Sequence, residues 1–327
     1  MKVRFFDPGF GYLKIKKVID SEIQRVLTAG DLILRDDVEK FEENLAKFVG
    51  TKYAVATNSG TDAIYLALKA AGIGNGSWVT LPSHTFKATC GAVLMTGATP
   101  KIYDMDGAKN ECLFSNVHIK VHIAGELSKV KCSNIPVIED ACQALGAVKN
   151  PTSFAQCWSF YPAKILGAYG DAGAITTNNK EVADYIRKAR NHFKGLDENF
   201  GINSRMDNLQ AAILNVKFKY LPEYLEKRKE IAEIYLAGLE GVGLPNNVAG
   251  RVWQDFVVRT PERDKLYNFL KEQGIETLKN EYPFSVDYPK LPLAAKYEAE
   301  TLRLPINENI ENYEIDFIIE KINEFFK

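Results

Sequence analysis

Lys164 stands in the run Trp158-Ser159-Phe160-Tyr161-Pro162-Ala163-Lys164-Ile165-Leu166-Gly167-Ala168-Tyr169-Gly170-Asp171-Ala172-Gly173-Ala174-Ile175. A lone loop lysine is ordinarily a surface cation. This one is set among apolar residues after a short strand pattern, and glycines follow at every third position, 167, 170 and 173. Burial in such a setting lowers an amine's pKa and makes it a nucleophile toward carbonyls. Upstream, Pro136-Val137-Ile138-Glu139-Asp140-Ala141-Cys142-Gln143 is an apolar run ending in two acids. It reads as a short buried strand that delivers a carboxylate at its C-terminal end. A carboxylate on a neighbouring strand is what a pyridinium nitrogen requires. Lysine and carboxylate together suggest a pyridoxal phosphate (PLP) site.

The elements that must position these groups follow from periodicity and turn chemistry. Residues 12–27 and 37–48 carry helical spacing. Residues 52–68 read as a strand, a Ser59-Gly60-Thr61 turn and a helix. That turn is either a plain N-cap, with Asp62 complementing the helix dipole, or an anion site built from the first N–H groups. The residues alone leave both readings open. Ala71-Gly72-Ile73-Gly74-Asn75-Gly76 looks like half a dinucleotide fingerprint, but it follows a helix and precedes the strand 78–81, the reverse of a Rossmann turn. Further strands are expected at 99–104, 118–122, 173–177 and 252–259, and helices at 181–190, 206–239, 263–273 and 313–326. His118 and His122 stand at i, i+4 on one strand face, a weak metal case without a third ligand at suitable spacing, so no metal is expected.

These blocks resemble the sugar aminotransferase family often called DegT/DnrJ/EryC1/StrS, of the aspartate-aminotransferase fold type. The matching residues are Glu139-Asp140-Ala141, Gln143, Ser159 through Pro162, Lys164, Leu166-Gly167, Gly170-Asp171 and Gly173-Ala174. The match extends to Ser59-Gly60-Thr61-Asp62-Ala63, Pro82-Ser83-His84-Thr85-Phe86, His122-Ile123-Ala124-Gly125 and the segment Asn191-His192 to Asp207. The resemblance implies an α/β fold: a type I PLP-transferase large domain with a mostly parallel central sheet flanked by helices, and a smaller α+β C-terminal domain. The expected division is 1–222 and 223–327.

It also implies roles. Lys164 would hold PLP as an internal aldimine and move protons; Asp140 would keep the ring nitrogen protonated. Phe86 would stack on the ring, although as a bare aromatic it also reads as core filler, and Gln143 would bond the ring hydroxyl. Gly60, Thr61 and Ser159 would hold the phosphate, with Asn203 reaching the cofactor of the partner in a homodimer with shared sites. The implied reaction moves an amino group from L-glutamate to a keto group of a nucleotide-linked (dTDP- or UDP-) deoxy sugar. A keto-cyclitol acceptor, or a non-catalytic regulatory or binding protein on the same scaffold, are the alternatives. A PLP sugar dehydratase of this family would carry histidine at the lysine position, which Lys164 opposes. The chain departs from the family at Asn280-Glu281-Tyr282-Pro283, where His-Tyr-Pro is common, at Arg35, where glycine is common, and in shorter segments near 118–125 and 148–156.

Composition narrows the partners. The 327 residues suffice for roughly two domains, and a net charge of -1 without a long basic run speaks against nucleic acid. No apolar run approaches membrane-spanning length, and residues 1–8 lack the apolar core of a signal peptide. Five scattered cysteines, at 90, 112, 132, 142 and 157, form no Cys-x-x-Cys pair, so free thiols and a cytoplasmic protein are expected.

Overall fold

In the computed structural model, which describes residues 1–105, 111–132, 134–195, 200–279 and 291–327, the strands around the chemistry-bearing residues join one sheet. They are β1 (Tyr53–Thr57), β2 (Trp78–Pro82), β3 (Thr99–Tyr103), β4 (Val117–Val121), β5 (Val137–Asp140), β6 (Ala155–Ser159) and β7 (Gly173–Thr177). Their order is β1-β7-β6-β5-β4-β2-β3. From β3 through β6 all pairs are parallel, while β7 runs antiparallel to both β6 and β1. Parallel strands put all their C-terminal ends on one edge, and that edge carries the site.

Helices α1 (Pro8–Ala29), α2 (Asp36–Val49), α3 (Gly60–Ala70), α4 (Lys87–Met95), α5 (Lys180–Ala189) and α6 (Asn208–Phe218) flank the sheet. The two-residue period of the strands sends successive side chains to opposite faces. Val55, Cys157 and Ile175 pack with Ile64 and Leu68 of α3, Val93 of α4 and Ile186 of α5. Their neighbours Ala54, Ala56, Trp158 and Ala174 pack with Phe41 and Leu45 of α2 and Leu214 of α6. Each fully buried large aliphatic contributes about 1.5–3 kcal/mol, so both faces hold the sheet firmly.

The C-terminal unit has α7 (Leu221–Gly238), β8 (Phe256–Arg259), α8 (Arg263–Glu272), β9 (Leu278–Lys279), α9 (Pro292–Glu300), β10 (Thr301–Leu304) and α10 (Asn312–Phe325). Its antiparallel sheet has the order β8-β10-β9 over a core that includes Ile231, Tyr235, Phe256, Leu302 and Ile318. Val3 belongs to this core: its N–H bonds the Gly274 carbonyl and its carbonyl accepts from Glu276, both at 2.9 Å. The chain's first residues are thereby held against the C-terminal unit, which carries Phe5 and Phe6 to the cavity.

Four expectations are corrected. The single helix expected over 206–239 is two, α6 and α7; Pro222 in the first turn of α7 has no N–H to continue the ladder from α6. The strand expected from 252 begins at Phe256, because the Val252 N–H is taken by the Gly125 carbonyl and the Gln254 side chain turns to the lysine loop. His118 and His122 do not stand on one strand: β4 ends at Val121, and His122 accepts from the Ser128 N–H and meets Glu139 at 3.4 Å. The five thiols are not all free, since the turns before β4 and β5 bring Cys112 and Cys132 together as a disulfide with Cα atoms 6.1 Å apart. Cys90, Cys142 and Cys157 are free. Between β4 and β5 the described chain holds one 3₁₀ turn, Ile123–Gly125, in place of a crossover helix. Among the described residues, no helix is long and apolar enough to cross a membrane.

Candidate active site

Loops at the C-terminal ends of β1, β2, β4, β5 and β6 and a wall from the C-terminal unit enclose a cavity of about 630 Å³. Gly60, Thr61, Phe86, Asp140, Gln143, Ser159 and Lys164 all line it. Asn203 is exposed, pairs with Asn191 in an isolated bridge, and does not line the cavity of its own chain. The departure at 280–283 lies outside the described residues.

Asp140 ends β5 and is 6% exposed. Its Oδ2 accepts from the Thr89 hydroxyl at 2.7 Å and its Oδ1 from the Cys142 N–H at 3.2 Å, which fixes the plane of the carboxylate. Thr89 is held in turn by Thr85 at 2.6 Å. Burial, reinforced by the Asp140 charge, pushes the Cys142 thiol well above its ordinary value, so this cavity cysteine is not a thiolate nucleophile. One residue back, burial would raise the Glu139 carboxyl, but His122 and Lys120 more than offset it and hold it below its ordinary value.

The turn into α3 resolves the two readings of Ser59. Its Oγ accepts from the Asp62 N–H at 3.1 Å, so it caps the helix, while Gly60 and Thr61 open onto the cavity. Space requires the glycines here. A Cβ on Gly60 would stand 2.8 Å from Cys142 Sγ and 2.9 Å from Ser159 Cβ, and one on Gly173 would stand 2.3 Å from the Ser59 carbonyl carbon. Strands β6 and β7 thus approach the helix N-terminus closely enough to form a shallow cradle at its first N–H groups. Ser204, fully buried, donates to Asp62 Oδ2 at 2.7 Å and accepts from the Asn58 N–H at 3.2 Å, anchoring the Asn203 segment to this turn.

Lys164 sits on a loop closed by three backbone bonds of 2.8 Å, Phe160 to Ala172, Lys164 to Tyr161 and Ala168 to Phe160. Gln254, from the C-terminal unit, clamps both sides of the lysine. Its Nε2 donates to the Ala163 carbonyl at 3.0 Å and its Oε1 accepts from the Ile165 N–H at 3.2 Å. Nothing in the sequence around Gln254 points to this role; the two segments are 89 positions apart. Gln143 is oriented by the Ala124 N–H, which donates to its Oε1 at 2.7 Å. Phe86 is 47% exposed, an unusual position for a core filler, because its ring borders the open cavity. His84 lies in an adjoining recess against Tyr297, and burial takes its imidazole down to about 4.

Arg228, 2% exposed, ties α7 to two other segments of the C-terminal unit at the cavity wall. Its Nη1 donates to the carbonyls of Trp253, Gln254 and Ile306 at 3.2, 3.3 and 2.8 Å, and its Nη2 meets Glu308 at 3.2 Å. Arg303, paired with Asp255 at 3.6 Å, brings a further cation to the cavity.

This donor set fits pyridoxal phosphate. The cradle at Gly60 and the first N–H groups of α3 suit a phosphate, Asp140 is fixed at a strand end for a ring nitrogen, and Lys164 is held within the same cavity.

Comparison with known proteins agrees. Residues 13–323 match the model of the DegT/DnrJ/EryC1/StrS aminotransferase family. The chain is 35% identical to a pleiotropic regulatory protein of Geobacillus stearothermophilus, over 100% of this chain and 99% of the relative. It is 34% identical to the dTDP-3-amino-3,4,6-trideoxy-alpha-D-glucose transaminase of Streptomyces venezuelae, over 99% and 96%. Its fold superposes on S. venezuelae DesV in complex with a ketimine intermediate with a TM-score of 0.92, at 32% identity and covering 100% and 99% of the two chains. It superposes on NtdA from Bacillus subtilis, solved with the bound cofactor PMP, with a TM-score of 0.88 at 27% identity, covering 99% and 85%. The chain belongs to the DegT/DnrJ/EryC1/StrS aminotransferase family, and it is a PLP-dependent enzyme of fold type I.

Proposed function

We propose that the protein transfers the amino group of L-glutamate to a keto group of a nucleotide-linked deoxy sugar, activated as dTDP or UDP. One observation carries this reading: Lys164, Asp140 and the open N-terminus of α3 line a single cavity. The Streptomyces transaminase named above supports a nucleotide-sugar acceptor.

When bound, pyridoxal phosphate supplies an electron-poor ring that accepts the electron pair released at the donor's α-carbon. Lys164 Nζ would serve as the base that takes the donor's α-proton and as the acid that returns it, in either direction of the transfer. Asp140, oriented by Thr89 and the Cys142 N–H, would keep the ring nitrogen protonated. Gln143 would hold the ring hydroxyl and Phe86 would flank the ring. Gly60, Thr61 and Ser159 bind the phosphate. Gln254 keeps the Lys164 loop at a fixed height.

The same reading includes a homodimer in which the partner subunit's Asn203 completes each site. The exposure of Asn203 and its absence from its own chain's cavity support that assignment. It also includes domains 1–222 and 223–327 and a cytoplasmic location. A regulatory, non-catalytic role is raised by the Geobacillus relative's name; the assembled cavity opposes it.

The test uses PLP-loaded protein. Glutamate should convert the yellow cofactor band to that of the amine form and release one 2-oxoglutarate per site, and a dTDP- or UDP-linked keto sugar should restore it. No spectral change with glutamate would overturn the donor. Restoration by keto-cyclitols and not by any nucleotide-linked keto sugar would overturn the acceptor.

A further inference from the structure

The opposite end of the same sheet holds a second cluster. Val121 at the end of β4 and Asp140 at the end of β5 line the cavity, and His118 lies three residues, about 10 Å, back along β4. Cys112 is in the 3₁₀ turn Glu111–Phe114 that precedes β4, and Cys132 is in the irregular segment that precedes β5. The two sulfurs and one imidazole nitrogen of His118 all lie within 4.8 Å of one another. His118 is fully buried, and neither ring nitrogen has a hydrogen-bond partner at normal geometry. Its ring stacks on Tyr103 at 6.0 Å. Apart from a weak interaction with the Thr80 backbone the ring nitrogens lack partners, and a buried imidazole so placed is costly unless something else binds it.

We propose that Cys112, Cys132 and His118 form a binding site for a divalent metal of the zinc type in the reduced protein, with the disulfide as its oxidised alternative. Two thiolates and an imidazole are the donors zinc prefers, and with bonds of about 2.0–2.3 Å its tetrahedral ligand atoms stand roughly 3.3–3.8 Å apart, a small adjustment from the present cluster. The chemistry balances. A dithiol or phosphine reductant supplies two electrons and two protons (the phosphine's protons coming from water) to open the disulfide, and the metal then displaces both thiol protons into solvent. The site ties the connection before β4 to the connection before β5, where the described residues hold a 3₁₀ turn and no crossover helix. The metal reading set aside for His118 and His122 returns with a different pair of partners.

Holoprotein reduced with a phosphine under anaerobic conditions is titrated with cobalt(II), then zinc(II). The expected result is one cobalt per chain with a thiolate-to-cobalt charge-transfer band and the visible bands of a tetrahedral centre, displaced by zinc, with the PLP band unchanged. Cys132→Ser, at a partly exposed position, should weaken zinc binding by more than the roughly 10–100-fold typical of losing an outer-shell partner. His118→Asn should do likewise. Reduced wild-type protein with no thiolate–cobalt band would overturn the proposal. So would tight binding that Cys132→Ser and His118→Asn leave unchanged. If a variant fails to fold, the wild-type cobalt spectrum and its loss on oxidation to the disulfide still decide.

Discussion

The two ends of the central sheet are built by different means. At the C-terminal ends of β5 and β6, single residues such as Asp140 and Ser159 stand at strand termini, Asp140 oriented by the Thr89 hydroxyl and the Cys142 N–H and Ser159 accepting from the Tyr161 N–H. At the N-terminal ends of β4 and β5, a cross-link joins the two connections through sulfurs 20 positions apart. The first end spends its interactions on orientation; the second spends them on holding two connections in place. Chemistry and stability are therefore separable along one sheet, by about 10 Å of strand.

The contrast is sharpest for a change that alters charge without altering shape. Asp140→Asn should bind PLP and fold, yet slow the glutamate half-reaction by about 10²–10³-fold, as losses of preorganised charge stabilisation do. Single-turnover absorbance measures this, and a near-normal rate would assign the pyridinium's partner elsewhere. Reduction without added metal is the complementary case. Opening a loop of this length should lower the unfolding free energy by about 2–4 kcal/mol, read as a lower urea midpoint, with the half-reaction rate unchanged. A rate loss on reduction would break the separation.

His84 tests the cavity's margin. Its folded pKa, about 4, lies below the ordinary 6.5 because burial disfavours the charged ring. The unfolded chain therefore binds the extra proton first, and the stability tied to the neutral ring is present above about pH 6.5 and lost as pH falls toward 4. Between pH 7 and 5 the loss should be about 2 kcal/mol, and His84→Gln should remove that part of the pH dependence. The smallest effect belongs to Gln254→Ala. Losing two bonds to the Lys164 loop, at about 1 kcal/mol each in stability, should lower kcat by about tenfold while leaving the affinity for PLP within a few-fold. An unchanged kcat would make Gln254 a packing residue alone.

Legibility in the sequence follows the same division. Lys164, Asp140, Ser59, Gly60 and Thr61 are readable because each lies in a short strand–turn unit whose neighbours share its purpose. The mostly parallel sheet is implied by the family resemblance rather than by the strand patterns themselves. Gln254, Arg228 and Ser204 are not readable, because their partners are brought together by packing across 89, 25 and 142 positions respectively. The break between α6 and α7 was signalled by Pro222, but continuous apolar spacing on both sides masked it. Cys112, His118 and Cys132 read as scattered residues because their spacing matches no finger or redox motif, and the geometry comes from two loops entering adjacent strands.

The central claim is that Lys164 is the amine on which the chemistry turns. Borohydride reduction of the PLP-loaded holoenzyme fixes a carbon–nitrogen link wherever the cofactor is bound, and peptide mass mapping then locates it. The account predicts one pyridoxyl group per chain, on the peptide containing Lys164, and none in Lys164→Ala, which should also lose steady-state turnover by at least about 10⁴-fold. Incorporation at another lysine, or Lys164→Ala turning over near the wild-type rate without added amine, would contradict it.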